Sequence, residues 1–197
     1  MSIDKAFEVF PVLETERLVL REIRLSDAEA FHVYQSDMEV MRQMGNDFLR
    51  ETVEEARNHI REMHGWYAGK HLIRWAITLK DGEDTLIGTL GFHGFDRDAK
   101  KAEIGYELNK DYWGQGIMSE AVLRLLEYGF DVMQLQRIEA GTDGINERSH
   151  KLLKRLGFTQ EACLRRRVFY FDTYWDEYWF GLLVEEFRER YSIDDVD

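Results

Sequence analysis

The chain has 197 residues, 44% apolar and 13% aromatic, with a formal charge of −12. That is enough apolar material for the core of one ordinary domain, and it excludes general disorder. The acidic balance speaks against sequence-independent nucleic-acid binding, which needs Lys and Arg to displace counterions; it fits a soluble enzyme or a binder of cationic partners. The single cysteine, Cys163, permits no intrachain disulfide and no multi-cysteine metal site. No segment approaches the 18 or so uncharged apolar residues of a membrane span; the best, 168–184, is interrupted by Asp172, Asp176 and Glu177. Met1 to Phe10 carries acids and no long apolar run, so it does not read as a secretory signal. A cytoplasmic protein is expected, with residues 1–10 a lead-in, residues 11–185 the domain and residues 186–197 an acidic tail.

In chain order, Arg17 to Ile23 alternates polar and apolar residues, a strand pattern. Three Ser/Thr-x-x-Glu sequences follow, Ser26–Glu29, Ser36–Glu39 and Thr52–Glu55, each reading as a capping box that opens a helix. The third helix should run to about Trp66. The period then changes to two: Leu72–Leu79, Thr85–Phe95 and Ala102–Leu108 predict antiparallel strands. Gly116–Val132 has apolar residues at helical spacing, and Arg137–Thr142 is a short strand. A helix is predicted over Asn146–Leu156, with Asn146 as N-cap and Gly157 as the residue beyond its end. Phe158–Phe171 and Tyr174–Val184 form a closing hairpin. The order β-ααα-βββ-α-β-α-ββ predicts one mixed α+β domain.

The chemistry concentrates in Glu103 to Ala121, EIGYELNKDYWGQGIMSEA. A strand ends at Leu108, and Gly114-Gln115-Gly116 leads directly into a helix. Glycines admit a ligand close to the backbone, and a helix N-terminus adds partial positive charge, which together suit pyrophosphate. A plain glycine turn would give the same residues. The P-loop pattern is absent, and Ser119 stands where a dinucleotide fingerprint requires its third glycine.

These residues resemble the GNAT superfamily of acetyl-CoA-dependent N-acetyltransferases, and more narrowly its Rim-type branch, which includes the acetyltransferases of ribosomal-protein N-termini. Four segments in order carry the resemblance: TERLVLR with SDAEAF (Thr15 to Phe31), IGTLGF (Ile87 to Phe92), Glu103 to Ala121, and INERSHKLLKRLGF (Ile145 to Phe158). It implies a GNAT-type domain whose mostly antiparallel mixed sheet splays near Leu108. It also implies acetyl-CoA as co-substrate, held by Gly114, Gln115, Gly116, Ile117, Met118 and Ser119, with Leu108 and Asn146 along the pantetheine arm. Trp113 and Met118 depart from the superfamily loop, although Trp is usual in this branch. Ser149 falls where some members place the acid that protonates the departing thiolate; it also fits as an ordinary first-turn serine. Val168 stands where some members carry an acid, which leaves Glu103 or water as the base, and Glu103 reads equally as the partner of a basic residue.

The acceptor implied is a cationic amine, most simply a protein or peptide N-terminus such as that of a ribosomal protein. A small amine, a polyamine or aminoglycoside, is the second enzyme reading, and a non-catalytic acyl-CoA sensor is the third. No metal site is expected, because the six histidines lack metalloprotease spacing. Arg148, Lys151, Lys154 and Arg155 form either an outer-phosphate site or a solvated helix face. A monomer and a homodimer both remain open.

Overall fold

The computed structural model describes residues 3–43 and 49–191, and its strands form an eight-stranded sheet. Strands β1 (Leu13–Glu14), β2 (Leu18–Glu22), β3 (Ile73–Leu79), β4 (Gly88–Asp96) and β5 (Lys101–Leu108) lie side by side in chain order, each antiparallel to the next. Strand β6 (Arg137–Asp143) joins β5 in parallel, and β8 (Thr173–Leu183) and β7 (Thr159–Tyr170) complete the order β6-β8-β7, again antiparallel. The sheet is therefore mixed and mostly antiparallel, as the alternating runs predict.

Helices cover both faces because the strands bury both. Leu18, Leu20, Ile73, Trp75, Ile77, Leu90, Phe92, Ile104 and Leu108 share one core with α4 (Ile117–Glu127), α5 (Glu147–Arg155) and α6 (Val184–Tyr191). Helix α4 buries Ile117, Ala121, Val122, Leu125 and Leu126, one helical stripe. It passes into a π-helical turn at Tyr128–Val132, so the helix read from sequence as running to Val132 changes winding over its last turn. On the opposite face, Ala76 packs with α1 (Ala28–Gln35) and α3 (Val53–Ala68) through Phe31, Tyr34, Ala56, Ile60 and Met63. Helix α2 (Met38–Gln43) precedes residues 44–48, which lie outside the description.

Of the three expected capping boxes, one forms at a helix start. The Thr52 hydroxyl accepts from the Glu55 amide at 3.2 Å, and Glu55 accepts from the Thr52 amide at 3.2 Å. Ser36 instead closes α1, its hydroxyl donating to the His32 carbonyl at 2.8 Å, and Asp37 accepts the Glu39 amide of α2. Ser26 lies in a 3-10 turn at Leu25–Asp27, and Asp27 is the residue that grips the entry, accepting from the Arg24 amide and the Arg21 guanidinium. A short carboxylate serves these turns as well as a hydroxyl does.

The ends pack more than their composition suggests. Ile3 and Ala6 are buried in a 3-10 turn, and Phe7 meets Tyr67 and Phe95. Residues 186–191, read from sequence as the start of a tail, belong to α6, where Phe187 lies 5.0 Å from Phe130 between ring centroids. Residues 192–197, the remainder of that tail, are outside the description.

Candidate active site

The site arises where β5 and β6 part. Their pairing lasts only from Lys101–Arg137 to Glu103–Glu139, so the splay begins at Ile104 rather than only near Leu108. Backbone groups along this gap have no neighbouring strand and must find other partners. A cleft of about 330 Å³ opens there, walled by Tyr106 to Leu108, the loop from Tyr112 to Gly116, the start of α4 and the exposed side of α5.

The loop is held from behind. Gly114 and Gly116 have φ of +74° and +77°, which favour glycine. Arg17 donates to the Gln115 carbonyl at 3.1 Å and to Glu120 at 2.6 Å, and Glu120 also accepts from the Thr15 hydroxyl and the Arg17 amide. Burial raises the proton affinity of Glu120, but these donors outweigh it and hold the carboxyl below its usual range. This accounts for the TERL segment: it anchors the loop rather than touching the cleft. Trp113 donates through Nε1 to the Leu108 carbonyl at 2.9 Å, and Arg148 stacks over its ring at 4.3 Å.

Ile117, Met118 and Ser119 form the first turn of α4, where amides lack intrahelical acceptors. With Gly114 and Gly116 they line the cleft, and Arg148, Lys151 and Arg155 line the same end, Arg155 donating to the Ser119 hydroxyl. An added Cβ at Gly114 would meet nothing within 4 Å, so the approach to the loop is open. Free amides, a helix N-terminus and three cations fit a polyphosphate, and the cleft leading from them to the splay fits a long thiol-bearing arm. Gln115 is the expected loop residue that does not reach the cleft: its amide turns to the Asp111 carbonyl at 3.0 Å.

Asn146 caps α5 as expected, Oδ1 accepting from the Ser149 amide at 3.0 Å, while Nδ2 donates to the Gln43 carbonyl at 2.6 Å. Ser149 is 7% exposed, and its hydroxyl is 2.6 Å from that of Tyr106 across the cleft. Burial pushes the Tyr106 phenol up to about 12, so it keeps its proton at neutral pH. Tyr106 falls within the strand predicted over Ala102–Leu108; its partnership with Ser149 spans 43 positions and has no local signature.

Glu103 stands outside the cleft, at the last pair of the closed part of the β5–β6 ladder, with its carboxylate against Gly94. Four positions along the same face, within the splayed part of β5, stands a second acid. Glu107 is the acid that lines the cleft, on the α1 face, ion-paired to Arg74 at 3.0 Å and accepting from Gln35. Cys163 is exposed on β7, away from these groups, and Val168 pairs with Trp175 near the hairpin end.

Fold and cleft together define an acyl-CoA-dependent transferase. The profile described as an acetyltransferase (GNAT) domain matches residues 17–159, and the chain belongs to that family: it is an acetyl-CoA-dependent N-acetyltransferase. It is similar to the uncharacterised N-acetyltransferase YoaA of Bacillus subtilis, 39% identical over 168 residues that cover 85% of this chain and 94% of YoaA. The ribosomal-protein-serine acetyltransferase of Escherichia coli is 33% identical over 103 residues, covering 52% of this chain and 58% of that protein. Among solved structures, a GNAT-family acetyltransferase from Bacillus anthracis superposes with a TM-score of 0.76 at 31% identity, covering 89% of this chain and 99% of that one.

Proposed function

We propose that the protein acetylates a protein or peptide N-terminal α-amine by direct transfer in a ternary complex. The observation that carries this reading is the absence of a free base among the described residues lining the cleft: Glu107, the one carboxylate there, is already engaged by Arg74 and Gln35. An acceptor must then supply its own neutral form. An α-amine with a pKa near ~8 is about one-tenth neutral at pH 7, whereas a Lys side chain near ~10.4 is neutral in under about one part in a thousand. A chain of charge −12 favours cationic acceptors generally, and the E. coli relative is named for a ribosomal protein.

Acetyl-CoA supplies the acyl group as a thioester. The loop from Gly114 and the first turn of α4 hold its pyrophosphate, Leu108 and Asn146 flank its arm, and Arg148, Lys151 and Arg155 face its outer phosphate. The acceptor ammonium sheds one proton to water, and the neutral nitrogen bonds to the acyl carbon as the C–S bond breaks. Ser149 gives its proton to the departing sulfur, and the second proton leaving the nitrogen restores the Ser149–Tyr106 pair. One proton is released overall. Because Tyr106 remains a phenol, it orients the Ser149 hydroxyl without competing for charge.

The test is acetyl-CoA-dependent thiol release with N-terminal peptides, spermidine and an aminoglycoside offered side by side at fixed salt. Turnover with the peptides supports the reading. Turnover confined to the small amines overturns it, and no thiol release with any amine favours a non-catalytic sensor.

A further inference from the structure

The cleft is electrically polarised along its length. Arg148, Lys151 and Arg155 lie at the end formed by α4 and α5, and Glu107 lies at the other, on β5. Glu107 is also the point on which four elements of the fold, β3, β4, β5 and α1, converge. Arg74 of β3 donates to it at 3.0 Å while also donating to Thr89 of β4 at 2.9 Å. Gln35, at the end of α1, donates to the second carboxylate oxygen and accepts from Arg50 at 2.6 Å through its own. The Glu107 and Arg74 side chains are 14% and 13% exposed. Burying an ion pair this far costs desolvation, and an apolar pair would pack the same space more cheaply, so such a pair is weak evidence for a purely stabilising role. Each carboxylate oxygen retains a second lone pair for another donor.

Placement supplies the rest. Tyr106 and Ser149 meet on the α5 side of the splay, and Glu107, the next residue along β5, projects to the α1 side. A nitrogen attacking an acyl group delivered beside Ser149 must come through the gap from that side, past Glu107. We infer that Glu107 is the seat of the acceptor's amine: its carboxylate binds the cationic nitrogen and points it at the splay, with Arg74 and Gln35 as the positioning residues. This rests on the transferase reading above, but not on whether the acceptor is a peptide or a small amine. With one carboxylate oxygen engaged by Arg74 and the other by Gln35, Glu107 acts as the seat rather than the base; it binds the ammonium and then accepts a hydrogen bond from the neutral amine after the proton has gone to water.

The test is calorimetric titration of the CoA-saturated protein at pH 6.5 with a decapeptide bearing a free serine N-terminus and with the same peptide N-acetylated. Wild type should prefer the free amine by about tenfold or more, the size of a charge-assisted hydrogen bond. Glu107→Gln should bring the ratio near one, and Glu107→Asp should retain part of it. Because Glu107→Gln leaves Arg74 buried without its counterion, the double variant Arg74→Met/Glu107→Gln provides a neutral pair; it too should lose the preference. The rise of kcat with pH should shift to lower pH in Glu107→Gln, since removing the anion lowers the proton affinity of the bound amine. A folded variant that keeps the wild-type ratio and pH midpoint would overturn the inference and leave Glu107 a structural ion pair. Should wild type turn over spermidine and no peptide, the same titration with spermidine applies: loss of its binding in Glu107→Gln upholds the amine seat while the peptide reading falls.

Discussion

Replacing Gly116 with valine tests the loop most sharply. Gly116 has φ +77° and ψ −2° at the start of α4. An added Cβ would meet Arg17 Nη2 at 3.5 Å, an ordinary contact, so the cost is conformational rather than steric. An L-residue in this region costs about 1–2 kcal/mol, and a β-branched one sits at the upper end or beyond. Helix α4 buries Ile117, Val122, Leu125 and Leu126, each contributing up to roughly 1.5–3 kcal/mol, beside the smaller Ala121. The helix therefore outweighs the strain, and the relief comes from turning the peptide planes of the loop. Losing one amide–phosphate hydrogen bond costs about 1.5–3 kcal/mol, which weakens CoA binding by about 10- to 150-fold. Calorimetry of CoA binding reads the affinity, and circular dichroism confirms that the helices persist. A folded Gly116→Val protein binding CoA within twofold of wild type would refute the assignment of these amides to the cofactor.

If the Ser149 hydroxyl acts on the departing sulfur as proposed, Ser149→Ala should lower kcat by about tenfold or more while changing the KM for acetyl-CoA little; equal losses in both would make Ser149 a cofactor-positioning residue. Burial raises the phenols of Tyr106 and Tyr128 to about 12 from an ordinary 10.0. Their contribution to stability is complete below pH 10 and is lost as pH rises toward 12, so thermal melts should fall through that window and fall less steeply in Tyr106→Phe. Thr52→Ala removes the acceptor for the Glu55 amide and should cost about 1 kcal/mol, seen as a decrease of roughly 2–4 °C in Tm.

Local pattern reveals the parts of this molecule whose cause is local. The alternation in KAEIGYEL marks a strand because Ala102, Ile104 and Leu108 are buried on one face, and Asn146 reads as an N-cap because it caps its own helix. The burial of Phe187 depends on a distant surface, the ring of Phe130. The same limit governs the site. Period-two alternation puts Glu103 and Glu107 on one face, but which of them reaches the cleft depends on where β5 and β6 separate, a property of the whole sheet. Gly114 and Gly116 mark the loop in the sequence; that Arg17 braces it follows from a contact 98 residues away.

One decapeptide, carrying both a free serine N-terminus and an internal lysine, provides the most direct test of the central claim. It is incubated with the protein and acetyl-CoA at pH 7, and the product is sequenced by tandem mass spectrometry. Transfer to an amine that supplies its own neutral form, with no free base among the described residues of the cleft, predicts a single acetyl group on the α-amine. Acetylation of the lysine with the α-amine left free would contradict it.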